Sequence, residues 1–420
     1  MKAQLVALTI LILISGFTIV SSENEYPIDG YSSTGIRRLM YLQKKLDGEI
    51  DGTPIVAGGR KSIKDIQLNL LGEKGDSLKV LPQADPSLQK SINAMFPNMD
   101  ESYSIAVLDI TPGRPIRYAK RQENKGFQPG SVGKLAVLLA LFDQLAELEP
   151  YSFEARQDIL RNTQVTAGSW SIIDEHTVPF FDTETDKFLA RIVKEQDVFS
   201  LYEWTDHMLS VSNNAAASIV WREVMLMKVF GQEYPVSEER AAEYFKTTKK
   251  SELGALSVEL VNGPLRELGI ESDEWRLGSF FTRGAKAIVP GDGGSIGSPV
   301  GLMKFLIAVE RGRAVDEESS LEIKRMMYMT DRRIRYAAAE VLKPAAVYFK
   351  SGSLYGCVPE EGFVCQKYHG NKQNYMNSVA IVEHPDGTTY MVTLMSNVLR
   401  KNSSGDHYGL ATQVDRIVRK

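Results

Sequence analysis

The sequence predicts a mixed α/β (α+β) fold: one antiparallel sheet flanked by helices, with an all-helical lobe inserted between its strands. Three observations carry this. Tyr103 to Ile110 (YSIAVLDI) is a run of β-branched and apolar residues, followed by a Thr111-Pro112-Gly113 turn and a return strand, Pro115 to Ala119. Three more strand-like runs lie near the other end, Ala345 to Lys350, Asn377 to Glu383 and Thr389 to Ser396, the last two joined by a Pro385-Asp386-Gly387 turn. Between the two groups, residues 150–285 read as mostly helical, with charged faces. Strands at both ends of a helical stretch close one sheet with helices on its faces.

Taken in order, the chain begins with Lys2, an apolar run from Leu5 to Val20, and Ser21-Ser22. That is a secretory signal pattern over residues 1–22, its apolar run of ~16 residues being short for a membrane span of about 20. Residues 23–84 read as an N-terminal extension with a short amphipathic helix from Ile36 to Leu46 and Gly- and Lys-rich turns; no chemistry is assigned to it. Asp85-Pro86 starts a helix that runs to about Phe96, with Asp as N-cap and Pro in the first turn. A polar loop from Lys120 to Gly126 leads into FQPGSVGK and then LAVLLALFDQL, which is apolar on all sides and therefore a buried helix. A Gly-rich connector, Val289 to Gly301, precedes further helices at Pro299–Arg311, Glu317–Met329 and Tyr408–Val418. The main domain is expected at 85–420, with a sheet lobe at 85–145 and 290–420 and a helical lobe at 146–289.

Composition narrows the chemistry. The 420 residues carry 49 basic and 53 acidic side chains, a net charge of −4, which gives no global attraction to nucleic acid or an anionic membrane. Five His and two Cys exclude zinc-finger and iron–sulfur architectures, and the His residues show no metal-ligand spacing, so no metal and no cofactor are expected. Catalysis, if present, falls to Ser, Lys, Asp, Glu or Tyr. Cys357 and Cys365 lie eight positions apart and are expected to pair in an exported protein. A monomer is expected.

Ser131 and Lys134 stand three apart at a loop entering the buried helix, so hydroxyl and amine share a face. A Ser hydroxyl needs an adjacent base, and burial can lower a Lys amine into that role. The free N–H groups of a helix start also point at developing negative charge. Ser87-Leu88-Gln89-Lys90 matches the same S-x-x-K pattern, but on a short surface-type helix with no partner strand, and is read as chance. Two elements follow in order: Ser212-Asn213-Asn214 before Ala215-Ala216-Ala217, and Lys350-Ser351-Gly352 ending the AAVYF strand.

With these three motifs in sequence, the chain resembles the serine β-lactamase and penicillin-binding protein superfamily, most of all the class A β-lactamase-like serine hydrolases. FQPGSVGK, SNNAAA and VAIVEHPDGTTYMVTLMSN resemble their S-x-x-K stretch, second motif and terminal hairpin, and the likeness covers about residues 85–145 and 200–420. It implies Ser131 as nucleophile, Lys134 as acylation base and Ser212 as the proton carrier to the leaving nitrogen. Asn214 would bind a substrate amide. Lys350 and Ser351 would hold its carboxylate, and Gly352 would let the backbone come close to it. The backbone N–H groups of Ser131 and Ser353 would form the oxyanion hole. The substrate would be a β-lactam or a peptidoglycan-like acyl compound.

The sequence departs from the family at the deacylating Glu. No E-x-x-L-N occurs; the corresponding position falls between Ser279 and Thr282, and Glu271 and Glu274 are the nearest carboxylates, at the wrong spacing and read as solvated. Asn213 also stands where Asp is usual. Three readings remain: an exported acyl-serine hydrolase, a D,D-peptidase or transpeptidase that deacylates slowly, and a non-catalytic binding module. A P-loop is excluded by Gln128 and Leu135, and a G-x-S-x-G elbow by Pro129. Arg332, Arg333 and Arg335 are read as a solvated helix end.

Overall fold

The structure, a computed structural model, describes residues 30–330 and 333–420. The predicted secretory segment at 1–22 and Arg332 lie outside them. The central sheet has five strands: β1 (Ser104–Asp109), β2 (Arg117–Arg121), β3 (Ala346–Gly356), β4 (Gln373–Glu383) and β5 (Thr389–Asn397). Their spatial order is β2-β1-β5-β4-β3, every neighbouring pair antiparallel. The N-terminal hairpin therefore joins the C-terminal strands through the β1–β5 pair, with Ala106 opposite Thr393.

Alternation along β1 sorts its side chains between two cores. Ala106 and Leu108 enter one shared with the inserted lobe. Ile105 and Val107 enter another, covered by α2 (Pro86–Asn93) and by the C-terminal helix Ser404–Val418. Before them in the chain comes α1 (Arg37–Leu46). The first turn of α2 is capped as expected, the Asp85 carboxylate accepting from Leu88 N at 2.8 Å. Beyond β2, α3 (Lys134–Leu148) runs through the middle of the molecule, which explains its apolar residues on every side. α4 (Leu201–Leu209) and α5 (Asn214–Phe230) pack against it.

The inserted lobe carries strand in addition to helix. Gln164–Thr166 pairs with Val198–Ser200, and Thr177–Asp182 with Lys187–Ile192. The second hairpin is closed by Asp182, whose carboxylate accepts from the backbone N–H groups of Glu184 and Thr185 at 3.0 and 3.1 Å, a local turn that competes with helix.

The N-terminal extension is docked onto both lobes. The buried Arg38 guanidinium grips Asp206 of α4 through two hydrogen bonds of 2.6 Å and also reaches the Met329 carbonyl. Gly58 N donates to Lys343 O at 2.9 Å. A Cβ at Gly58 would lie 1.8 Å from the Ala345 carbonyl, so only glycine fits against the entry to β3. Asn69 closes a buried charge cluster, bonding Glu310 and Glu383, both of which pair with Lys324 at 2.6 and 2.7 Å.

One sequence-based expectation is corrected. Arg333 and Arg335 are not a solvated helix end. Arg333 turns inward to the carbonyls of Gly58, Leu342 and Ala345. Arg335 is buried, with a left-handed φ of 55°, and points at β3.

Candidate active site

Ser131 lies in a short 3-10 turn, Gly130–Gly133, that runs directly into α3. Lys134, at the start of α3, is fully buried. Four oxygens surround its Nζ: Ser131 Oγ at 3.0 Å, the Ser212 carbonyl at 2.6 Å, Ser212 Oγ at 3.4 Å and Asn214 Oδ1 at 2.7 Å. Burial pulls the amine down to about 7, with the negative charge of Asp174 acting in the opposite direction. The ring of Phe281 lies 5.2 Å from the same nitrogen.

Ser212 follows the end of α4 and adopts φ 62°, a conformation rare outside glycine. That turn lets both its carbonyl and its hydroxyl face the lysines. Asn213 then caps α5, accepting from Ala216 N at 2.7 Å and donating to the His176 carbonyl at 2.9 Å. It thus fills the place of the usual Asp in a helix-capping role.

β3 supplies the opposite wall. Lys350 Nζ donates to Ser212 Oγ at 2.8 Å and to the Ser351 carbonyl at 2.9 Å. Burial, together with the charges of Lys134 and Arg335, drives its amine well below the ordinary lysine range. The Ser131 loop and β3 run backbone against backbone: a Cβ on Gly352 would lie 2.2 Å from Pro129 O and 3.1 Å from Ser131 N. A Cβ on Gly130 would lie 2.9 Å from Ser353 N. Asn377 of β4 fastens this loop, donating to the carbonyls of Gln128 and Pro129 at 2.9 and 3.0 Å.

Two cavities meet at Ser131. The smaller is lined by Ser212, Arg335, Lys350, Ser351 and Tyr368. The larger, about 410 Å³, is lined by Asn214, Phe281, Lys286, Tyr355 and Lys367. Ser279, Phe280 and Phe281 form the wall where the sequence comparison lacks a carboxylate. Glu274 is held away by Lys304 at 2.7 Å, and Glu271 is exposed. Cys357 and Cys365 are joined in a disulfide, Cα atoms 5.9 Å apart, just before the segment that brings Lys367 and Tyr368 to the cleft.

All the residues singled out from the motifs therefore converge on one cleft. Sequence reasoning missed Arg335, Tyr368 and the Asp174–His176 pair. Arg335 Nη1 donates to Gly352 O at 2.8 Å and its guanidinium lies 5.2 Å from the Tyr368 ring. No short-range pattern marks any of them. Among the described residues no cluster of three or more metal-ligating side chains occurs.

The fold and cleft define a protein whose antiparallel sheet and inserted lobe enclose buried lysines beside a serine at a helix start. A family model described as the Beta-lactamase enzyme family matches residues 87–412, and the chain belongs to that family. Among solved structures, the TLA-1 extended-spectrum beta-lactamase superposes with a TM-score of 0.52 at 15% identity, covering 80% of this chain and 99% of that one. The TLA-3 extended-spectrum beta-lactamase gives 0.52 at 14% identity, over 79% and 98%. A class A beta-lactamase from Bacteroides cellulosilyticus DSM 14838 gives 0.50 at 15% identity, over 80% and 98%. At these identities the likeness establishes the fold. Among curated proteins no relative matches.

Proposed function

We propose that the protein is an exported serine hydrolase that acylates Ser131 with β-lactams or related amide or ester substrates. One observation carries this: a buried amine with a pKa of about 7 lies 3.0 Å from the Ser131 hydroxyl. Neutral Lys134 takes the Ser131 proton as Oγ attacks the carbonyl carbon. The backbone N–H groups of Ser131 and Ser353 receive the oxyanion. Ser212, between Lys134 and Lys350, returns a proton to the leaving nitrogen. Asn214 holds a substrate amide.

Arg335 brings a buried guanidinium to the cleft beside Lys350, while Glu175 is the one carboxylate among the described residues lining either cavity. A substrate carboxylate would supply the missing negative charge at Lys350, Ser351 and Arg335. Export is supported by the disulfide. Among the described residues no helix is long and apolar enough to cross a membrane.

A second reading, a D,D-peptidase or transpeptidase with slow deacylation, is favoured by the Ser279–Phe281 wall, which has no carboxylate to activate water. Incubation with a penicillin, followed by intact mass spectrometry, tests both. A transient adduct on Ser131 supports the hydrolase, and a persistent one the peptidase. No adduct, or one that survives Ser131→Ala, would sink the acyl-serine mechanism for β-lactams.

A further inference from the structure

We propose that His176, oriented by Asp174, is the general base that releases the acyl group from Ser131; this rests on the acyl-serine reading above. His176 lines both cavities that meet at Ser131. Its Nδ1 lies 2.6 Å from Asp174 Oδ1, and its side chain is 42% exposed, enough for the ring to meet water in the cleft. Nε2 has no hydrogen-bond partner among the described residues.

The orienting carboxylate is firmly held. Asp174 Oδ2 accepts from the backbone N–H groups of Asn214 and Ala215 at 2.6 and 3.1 Å, and Oδ1 accepts from His176 N at 3.1 Å. Burial alone would raise this carboxyl, but the bonds from His176 and Ala215 outweigh it and keep it below its usual range. An ionised Asp174 fixes the proton on Nδ1, which leaves the Nε2 lone pair for water. The His176 carbonyl is tied to Asn213, so the loop bearing the ring is anchored to the second motif. Glu175 also lines the larger cavity, but no partner among the described residues orients it. Lys350 and Arg335 face the same smaller cavity, and Lys286 and Lys367 the larger one.

In the step, Nε2 takes a proton from water as the water oxygen bonds to the acyl carbon. The tetrahedral adduct collapses, the bond from carbon to Ser131 Oγ breaks, and the imidazolium returns the proton to Oγ. Acyl-serine and water become a carboxylic acid and free serine, with no other reactant needed.

The test follows the Ser131 adduct of a penicillin by mass, reading its formation and its decay separately, in wild type, His176→Ala, Asp174→Asn and Glu175→Gln. His176→Ala should form the adduct within about threefold of the wild-type rate but lose it on the order of 100-fold more slowly. Added imidazole should restore the decay, which a merely structural role would not allow. Asp174→Asn should slow decay less. Decay unchanged in His176→Ala, decay not rescued by imidazole, or decay lost instead in Glu175→Gln overturns the assignment while the Ser131 adduct stands. Absence of any adduct on wild type overturns the acyl-serine reading and this inference with it.

Discussion

Arg38 and Asp206 form a buried ion pair, 2.6 Å apart, between the N-terminal extension and the helix that delivers Ser212. The same guanidinium reaches the Met329 carbonyl, a few residues ahead of Arg335. The extension therefore braces two segments that enter the cleft. Breaking one partner of a buried pair leaves an uncompensated charge, at a cost of about 3–5 kcal/mol. Arg38→Met should lower the stability measured by urea unfolding by that order. Combining it with Asp206→Leu should recover much of the loss, because no charge is then stranded. A single variant as stable as wild type would show that the extension is not coupled to this helix.

Lys134 should set the pH dependence of acylation. Its pKa of about 7 follows first from burial, with Asp174 opposing the shift. In the proposed mechanism the neutral amine is the base, so the acylation rate should rise as pH increases through about 7 and then level off. Lys134→Met should abolish adduct formation at every pH. Phe281→Glu would bring a carboxylate toward the amine, favour its charged form and move the rising limb to higher pH. Stopped-flow acylation rates from pH 5 to 9 read both effects; a flat wild-type profile would remove Lys134 from the role.

Much of this was legible in the sequence because it is local. Ser131 and Lys134 share a helix face by spacing alone, and the apolar run YSIAVLDI survives as β1, buried throughout, its side chains alternating between two cores. Asp85-Pro86 marks a helix start whose cap is intact. What was missed depends on distant partners. Arg335 is directed inward by its contacts with Gly352 and Tyr368, so a run of arginines resembles a solvated end until the chain is folded. The extension shows no chemistry in its own residues because its function here is to supply partners such as Asn69 to Glu310. The Thr177–Asp182 hairpin carries local signals, Val178, Phe180, Phe181 and the turn-forming Asp182, inside a stretch whose overall pattern reads as helical.

Arg335 should recognise the charge of the substrate. It is buried beside Lys350, and hydrogen bonds to charged groups are worth about 1.5–3 kcal/mol. Arg335→Ala should lower kcat/KM for acylation by a carboxylate-bearing β-lactam on the order of 10- to 100-fold. An esterified analogue lacking the charge should be affected far less. Equal losses on both substrates would mean that Arg335 acts only by holding the Gly352 carbonyl, 2.8 Å from its Nη1.

Gly352 fixes how closely β3 approaches the Ser131 turn. A methyl group there would lie 2.2 Å from Pro129 O, 2.8 Å from Val132 N and 3.1 Å from Ser131 N, all backbone atoms that cannot rotate aside. The Pro129 carbonyl is itself tied to Asn377 at 3.0 Å, which limits how far the loop can withdraw. Gly352→Ala must therefore separate the Ser131 turn from Ser353, the two proposed sources of oxyanion N–H groups. Loss of one such donor typically costs on the order of 100- to 1000-fold in rate. The acylation rate of Gly352→Ala should fall at least that far, with a smaller drop in melting temperature, since the strain is confined to one crossing. Asn377→Ala loosens the same loop and should recover part of the rate when combined with Gly352→Ala. If Gly352→Ala acylates like wild type, β3 does not contribute to the oxyanion site.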